Sequence, residues 1–474
     1  MTAPLQDLSF APATDLVEAI RARQLSPVEL LESVLTRAER LQPTLNPFVT
    51  IDADRARAAA RSAEQAVMQG DELGALHGLP VPIKDLEPTR GLRTTSGSKF
   101  FEHYVPDFDG AVATKLRAAG AIIFAKTNTP QFGHKDSCDN LLGPPTRNPW
   151  NVARTPGGSS GGAAASVAAG VVPVAHGSDG AGSIRIPASL CGVFGFKPSL
   201  GLVPYWPSPD LWAARSHNGP LARSVRDGAL LLNGMAGPDP RDTVSIDRPP
   251  TDWLRACEAP DLHGLKVAWS PDFGYAPVDP EVRRITTAAA ARFTELGCHV
   301  EEVSVPWPDP REWASLLWDF QSAIRNVDRW KHHPEWIEPS FLEQLERGAG
   351  ASALEIGQAQ LARTTFYEQA RTFMEGFDLL LSPQMPCVAW PVDQPPMEID
   401  GRPTPRMFDH LPFTFPFNLT GWPAASVPCG FNAEGLPVAL QIVTGWHQDA
   451  ECLQAAAAFE ALHPWADAHP PVHA

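Results

Sequence analysis

Apolar residues recur along this chain with two alternating periods. Leu30, Leu31, Val34 and Leu41 fall on one stripe of a helix, and Ser26-Pro27-Val28-Glu29 ahead of them offers an N-cap, a proline at the first helical position and a capping-box acid. The helical period returns over DADRARAAARSAEQAVMQ (52–69) and GAVATKLRAAG (110–120), the latter running into AIIFAKT (121–127), an apolar stretch that reads as a buried strand. A helix over 279–297 is followed by CHVEEVSV (298–305), and LPVALQIVT (436–444) is followed by ECLQAAAAFEAL (451–462). Helices alternating with short apolar strands predict an α/β fold whose sheet is covered on both faces. With no internal repeat, and with 49 prolines spread through the loops, residues 1–474 read as one domain. The segment 310–376 differs in texture, being helical and carrying Trp313, Trp318, Phe320, Trp330, Trp336, Phe341 and Phe366. Such an aromatic layer reads first as core and second as the lining of a pocket.

Composition narrows the class. A formal net charge of -16 argues against a nucleic-acid partner, which requires a basic face. The seven cysteines contain no CxxC pair and read as reduced thiols. The N-terminus lacks a basic region followed by an apolar one, and no stretch reaches the ~20 apolar residues of a membrane span. A soluble, cytoplasmic protein without membrane partners is expected, and its oligomeric state is not legible.

The candidate chemistry centres on TPGGSSGGAAASVAAG (155–170). A Gly/Ser linker should separate independently folding segments, but this one runs straight into apolar and again glycine-rich sequence. It lacks the GK[ST] of a phosphate-binding loop. GGSSG fits the G-x-S-x-G of a nucleophile elbow with a Ser-His-Asp triad, although the preceding RNPWNVARTP is not a buried strand. Ser96-Gly97-Ser98-Lys99 matches S-x-x-K without its partner motifs. The 14 histidines form no HExxH or ligand-like cluster, and neither a metal nor a cofactor is expected.

The whole run from Gly157 to Ala188, ending PVAHGSDGAGSIRIPA, resembles the signature of the amidase signature family. GLPVPIKD around Lys84, DNLLGPPTRNPWN, GPLARSVRDGALLL (219–232) and NLTGWPAASVPCGFNAEGLPVALQIVTG (418–445) extend the resemblance over most of the chain, with about 70–235 as the signature core and about 240–375 as a variable region. The resemblance implies a central mixed sheet flanked by helices and three catalytic residues, Lys84, Ser159 and Ser183. In this role Ser183 is the nucleophile, Ser159 a bridging serine after a cis peptide bond from Gly158, and Lys84 the base. The small residues Gly180, Ala181, Gly182 and Ser183 let successive backbone N–H groups converge into an oxyanion hole. Lys84 follows Leu79, Val81 and Ile83, so burial can strip it of water and leave it neutral. Ala181 stands where glycine is commoner in the family, which raises the question of a positive φ there. His176 reads as core filling, and Asp179 with Arg185 as charges that hold the loop.

The implied reaction is hydrolysis of amide C–N bonds through an acyl-enzyme. Tyr205, Trp206, Trp212 and the aromatic 310–376 segment favour an apolar or aromatic small-molecule substrate, an anilide, amide, carbamate or ester. SIRIPAS departs from the SIRQPA of the tRNA amidotransferase glutaminase subunit. A Ser-His-Asp α/β-hydrolase and a catalytically silent or amidotransferase-type subunit remain the alternatives.

Overall fold

The computed structural model describes residues 8–208, 210, 215–248 and 251–473. Its strands are β1 (Phe48–Ile51), β2 (Pro80–Lys84), β3 (Ile122–Thr127), β4 (Val174–Asp179), β5 (Phe194–Lys197), β6 (His217–Ala222), β7 (Lys266–Trp269), β8 (His299–Glu302), β9 (Leu379–Pro383), β10 (Glu398–Ile399), β11 (Arg402–Pro403), β12 (Ala424–Phe431) and β13 (Pro437–Val443). Eight of them form one mixed sheet in the order β4-β6-β5-β12-β13-β9-β7-β8. Pairing is antiparallel from β4 as far as β9 and parallel from β9 through β7 to β8. Helices flank the sheet, as the alternating periods imply: Arg185–Cys191 packs on β5, β12 and β13, and Pro280–Ala291 on β9, β12 and β13. Among the described residues no helix is long and apolar enough to cross a membrane.

A second, three-stranded sheet has the order β1-β3-β2. Every side chain of β3 is buried, including Lys126, whose ammonium donates to the Glu87 carbonyl and to Thr89 Oγ1. The helix Pro27–Leu45 turns the predicted stripe inward, and Ser26 Oγ accepts from the Val28 and Glu29 N–H groups. Ser26 is tied beyond its own helix to Glu64, at 2.6 Å, while Glu29 lies exposed.

These two sheets present edges to one another, since β2 ends the small sheet and β4 ends the large one. Across the seam the Lys84 N–H donates to His176 Nδ1 at 3.3 Å, and Lys84 Nζ donates to the Ser178 carbonyl at 3.2 Å. His176 is therefore more than core filling: its ring, kept neutral at about 3 by burial, also reaches Asn218 Oδ1 from Nε2 at 3.1 Å.

Candidate active site

Lys84, at the last position of β2, is fully buried. Its ammonium nitrogen lies 2.7 Å from Ser159 Oγ. Burial lowers Lys84 to about 7, against the pull of Cys138 and Asp179 in the opposite direction. Lys84 Nζ thus contacts both the Ser178 carbonyl and the Ser159 hydroxyl.

Ser159 precedes the helix Gly161–Ala168 and follows a cis peptide bond from Gly158. A side chain at Gly158 would collide with the Ser137 backbone, at 2.3 Å from its carbonyl oxygen. Ser160 has a different task. Its hydroxyl donates to the Ser178 carbonyl at 3.2 Å and accepts from the Ser178 N–H at 3.3 Å, and its own N–H donates to the Ser183 carbonyl at 3.1 Å. Three bonds thus lock the GGSSGG loop to the β4 strand and to the loop that follows it.

That following loop carries Ser183 into the helix Arg185–Cys191. Gly182, with φ of 126°, takes the left-handed position, so Ala181 is spared it. A Cβ at Gly182 would also meet Thr414 at 2.6 Å, and Thr414 Oγ1 in turn donates to the Ala181 carbonyl at 2.7 Å. Of the four backbone N–H groups expected to form an oxyanion hole, the Gly182 N–H donates to Asp179 Oδ1 at 2.7 Å. Those of Gly180, Ala181 and Ser183 have no partner among the described residues.

Asp179 holds this loop. Burial disfavours its charge, but the Arg185 guanidinium, bonded at 3.0 and 3.1 Å, and Asn418 keep the carboxyl well below the usual range. Arg185 reaches on to Gln441 Oε1 at 2.8 Å and Asn418 Oδ1 at 2.7 Å. Asn418 and Gln441 are supports that sequence reasoning passed over, because both lie in a C-terminal block read only as a resemblance.

Ser159, Ser183 and Gly180 line a cavity of about 430 Å³. Ser183 also lines a narrow crevice with His134, Asp136 and Met407, which in turn border an outer cavity of about 690 Å³. The Ser183 hydroxyl has no hydrogen-bond partner among the described residues. No histidine there bonds either serine, and the nearby His134 is engaged by the Gln131 carbonyl and Ser340 Oγ.

The aromatic expectation divides. Trp318, Phe341 and Tyr205 line the inner cavity, while Phe366 packs in the core against Trp307 and Trp313. Phe320 and Trp330 join small clusters between helices, and Trp336 is 37% exposed. Trp206 packs on Phe108 and under Arg241, and Trp212 falls outside the described residues. The expectation overlooked a polar stripe. Trp318, Gln321, Ser322, Arg325, Asn326 and Arg329 follow the i, i+3, i+4, i+7, i+8, i+11 rule on the helix Arg311–His332 and all face the inner cavity.

A family model described as Amidase matches residues 29–453. An acylamidase of Rhodococcus erythropolis is 38% identical over 98% of this chain and 98% of its own. A glutamyl-tRNA(Gln) amidotransferase component from Cyanothece sp. is 33% identical over 97% of this chain and 100% of its own. Among solved structures, a bacterial aryl acylamidase described as one of the amidase signature enzymes superimposes with a TM-score of 0.90 at 33% identity, covering 96% of this chain and 97% of that one.

Proposed function

Since the chain belongs to the amidase signature family, we propose that it hydrolyses the C–N bond of small linear amides through an acyl-enzyme on Ser183. Lys84 and Ser159 form the proton relay. The observation that carries this reading is the 2.7 Å contact between a fully buried Lys84 Nζ and Ser159 Oγ, beside an unpartnered Ser183 hydroxyl in the same cavity.

In the first step the Ser183 oxygen attacks the amide carbon. Its proton passes to Ser159 Oγ, and the Ser159 proton passes to the neutral Lys84 amine. Negative charge moves to the former carbonyl oxygen, where the free N–H groups of Gly180, Ala181 and Ser183 are the available donors. The tetrahedral intermediate collapses as the relay returns a proton to the leaving nitrogen and the amine departs. Water then attacks the acyl-serine, the relay takes its proton and gives one back to Ser183, and the carboxylic acid leaves.

The aromatic walls from Phe101, Phe132, Tyr205, Trp318 and Phe341 favour a substrate with an aryl or other apolar group, and an anilide fits the chemistry named for the acylamidase relatives. Carbamates and esters pass through the same type of intermediate and are further candidates. A Ser-His-Asp triad is disfavoured because the partner of Ser159 is a lysine and the neighbouring His134 and His176 are otherwise bonded.

A fluorophosphonate probe with mass mapping, together with hydrolysis of a panel of anilides, simple amides and aryl carbamates, tests the reading. Label on Ser183, and a loss of about 10³-fold or more in kcat/KM in Lys84→Ala, are expected. Label on Ser159 or Ser160 with Lys84→Ala fully active would remove the relay. Absence of both labelling and turnover would favour a silent subunit.

A further inference from the structure

The inner cavity is lined by three arginines, Arg215, Arg325 and Arg329, and by no carboxylate among the described residues. None of the three forms an ion pair among the described residues, and Arg325 Nε is buried without any hydrogen-bond partner. Arg215, 8% exposed, spends one N–H on Gln321 Oε1 at 2.6 Å. Burial, with Arg363 and Arg325 nearby, brings Arg215 down to about 9, while Asp210 opposes them from outside the cavity lining. Arg329 donates to Asn326 Oδ1 and to the Arg325 carbonyl.

Aromatic faces hold two of these guanidinium groups in position. Arg329 lies 5.1 Å from the Phe101 ring centre and 5.3 Å from that of Phe132, and Arg215 lies 5.5 Å from that of Trp318. Stacking fixes the plane of a guanidinium and leaves its N–H edge free for a planar anion. Arg215 is buried and Arg325 and Arg329 are half-buried; cations partly stripped of water without an ion-pair partner are costly, and a bound anion supplies that partner. The outer cavity differs in being mixed in charge: Asp136, Asp139, Glu312, Glu338 and Glu343 line it together with Lys135, Arg347 and Arg406.

We propose that the inner cavity selects amides bearing a carboxylate remote from the scissile bond, held by Arg325 and Arg329 with Arg215 behind them. This rests on the amide-hydrolase reading above and adds the charge of the substrate to it. The aromatic walls then contact the spacer between the carboxylate and the amide.

Two matched pairs of probes test it. Glutaric acid mono(4-nitroanilide) against butyric acid 4-nitroanilide carries the carboxylate on the acyl side, and 4-acetamidobenzoate against 4-methylacetanilide carries it on the amine side. In one pair the carboxylate member is expected to exceed its neutral counterpart about tenfold or more in kcat/KM, and that ratio is expected to fall about tenfold in Arg325→Gln and less in Arg325→Lys. The pair that responds identifies which fragment enters the cavity. Preference for the neutral member in both pairs, or a ratio unmoved by Arg325→Gln, overturns the proposal. Fluorophosphonate labelling of Ser183 in each variant reports an intact fold. If no amide is turned over, the catalytic reading fails alone, and equilibrium titration of the wild-type protein with glutaric acid mono(4-nitroanilide) decides this one. Binding weakened about tenfold by Arg325→Gln upholds the anion pocket, whereas no binding or equal binding sinks it.

Discussion

A lysine that must accept a proton near neutral pH has to be stripped of water, and the last residue of β2 meets that condition. With Lys84 lowered to about 7 by burial, its amine is uncharged above that value and protonated below it. The proposed relay needs the uncharged form, so kcat/KM is expected to rise with pH through about 7 and to level off above it. A profile flat from about pH 5.5 to 9 would count against Lys84 as the base. At this scale much was legible in the sequence. Lys84, Ser159 and Ser183 each sit in a short motif whose neighbours reveal its backbone, whereas Asn418 and Gln441 act on the loop from more than 200 residues away, through contacts that only the tertiary fold creates. His176 was visible as a buried residue but not as the acceptor of the Lys84 N–H, because a seam between sheets leaves no local pattern.

Among the elements, the two helices Arg311–His332 and Pro339–Ala349 determine the shape of the inner cavity, the first through its polar stripe and the second through Phe341. They meet at Gly348, where an added Cβ would lie 2.1 Å from the Asp319 carbonyl oxygen. Backbone cannot yield as a flexible side chain would. Gly348→Ala is expected to push the helices apart, costing about 1–3 kcal/mol in denaturant unfolding, and to reduce kcat/KM because the cavity wall shifts with them. Wild-type stability and kinetics in this variant would show that the contact has slack. Helix and strand periods were readable at this scale, since each is set by its own residues. Sheet order was not: β5 lies beside β12, separated from it by more than 200 residues, and periodicity names a face without naming a partner. The polar stripe is not legible in the sequence, because its residues alternate along the helix with apolar ones that pack in the core, and only the cavity distinguishes its face.

At the level of the whole molecule, the packing that hides Lys84 also hides sulfur. All seven cysteines are free; Cys138, Cys191, Cys257, Cys298, Cys429 and Cys452 are buried and Cys387 is half-buried. Burial pushes the thiols up, Cys138 to about 11 and Cys387 to about 12, so little reactive thiolate is present. A thiol-specific disulfide reagent at about pH 8 is expected to modify at most about one group per native chain within minutes, and all seven after denaturation. Several fast-reacting thiols in the native protein would contradict this core.

The seam between β2 and β4 has a further meaning. Lys84 ends a strand of the small sheet and Ser183 sits in the loop that leaves β4 of the large one, so in the proposed relay the proton crosses from one sheet to the other. On that proposal the two sheets act as the jaws of a vice whose alignment would set the rate. A substitution in β1 or β3 that slides the small sheet by a fraction of an ångström, though remote from any substrate, would slow turnover while leaving affinity intact.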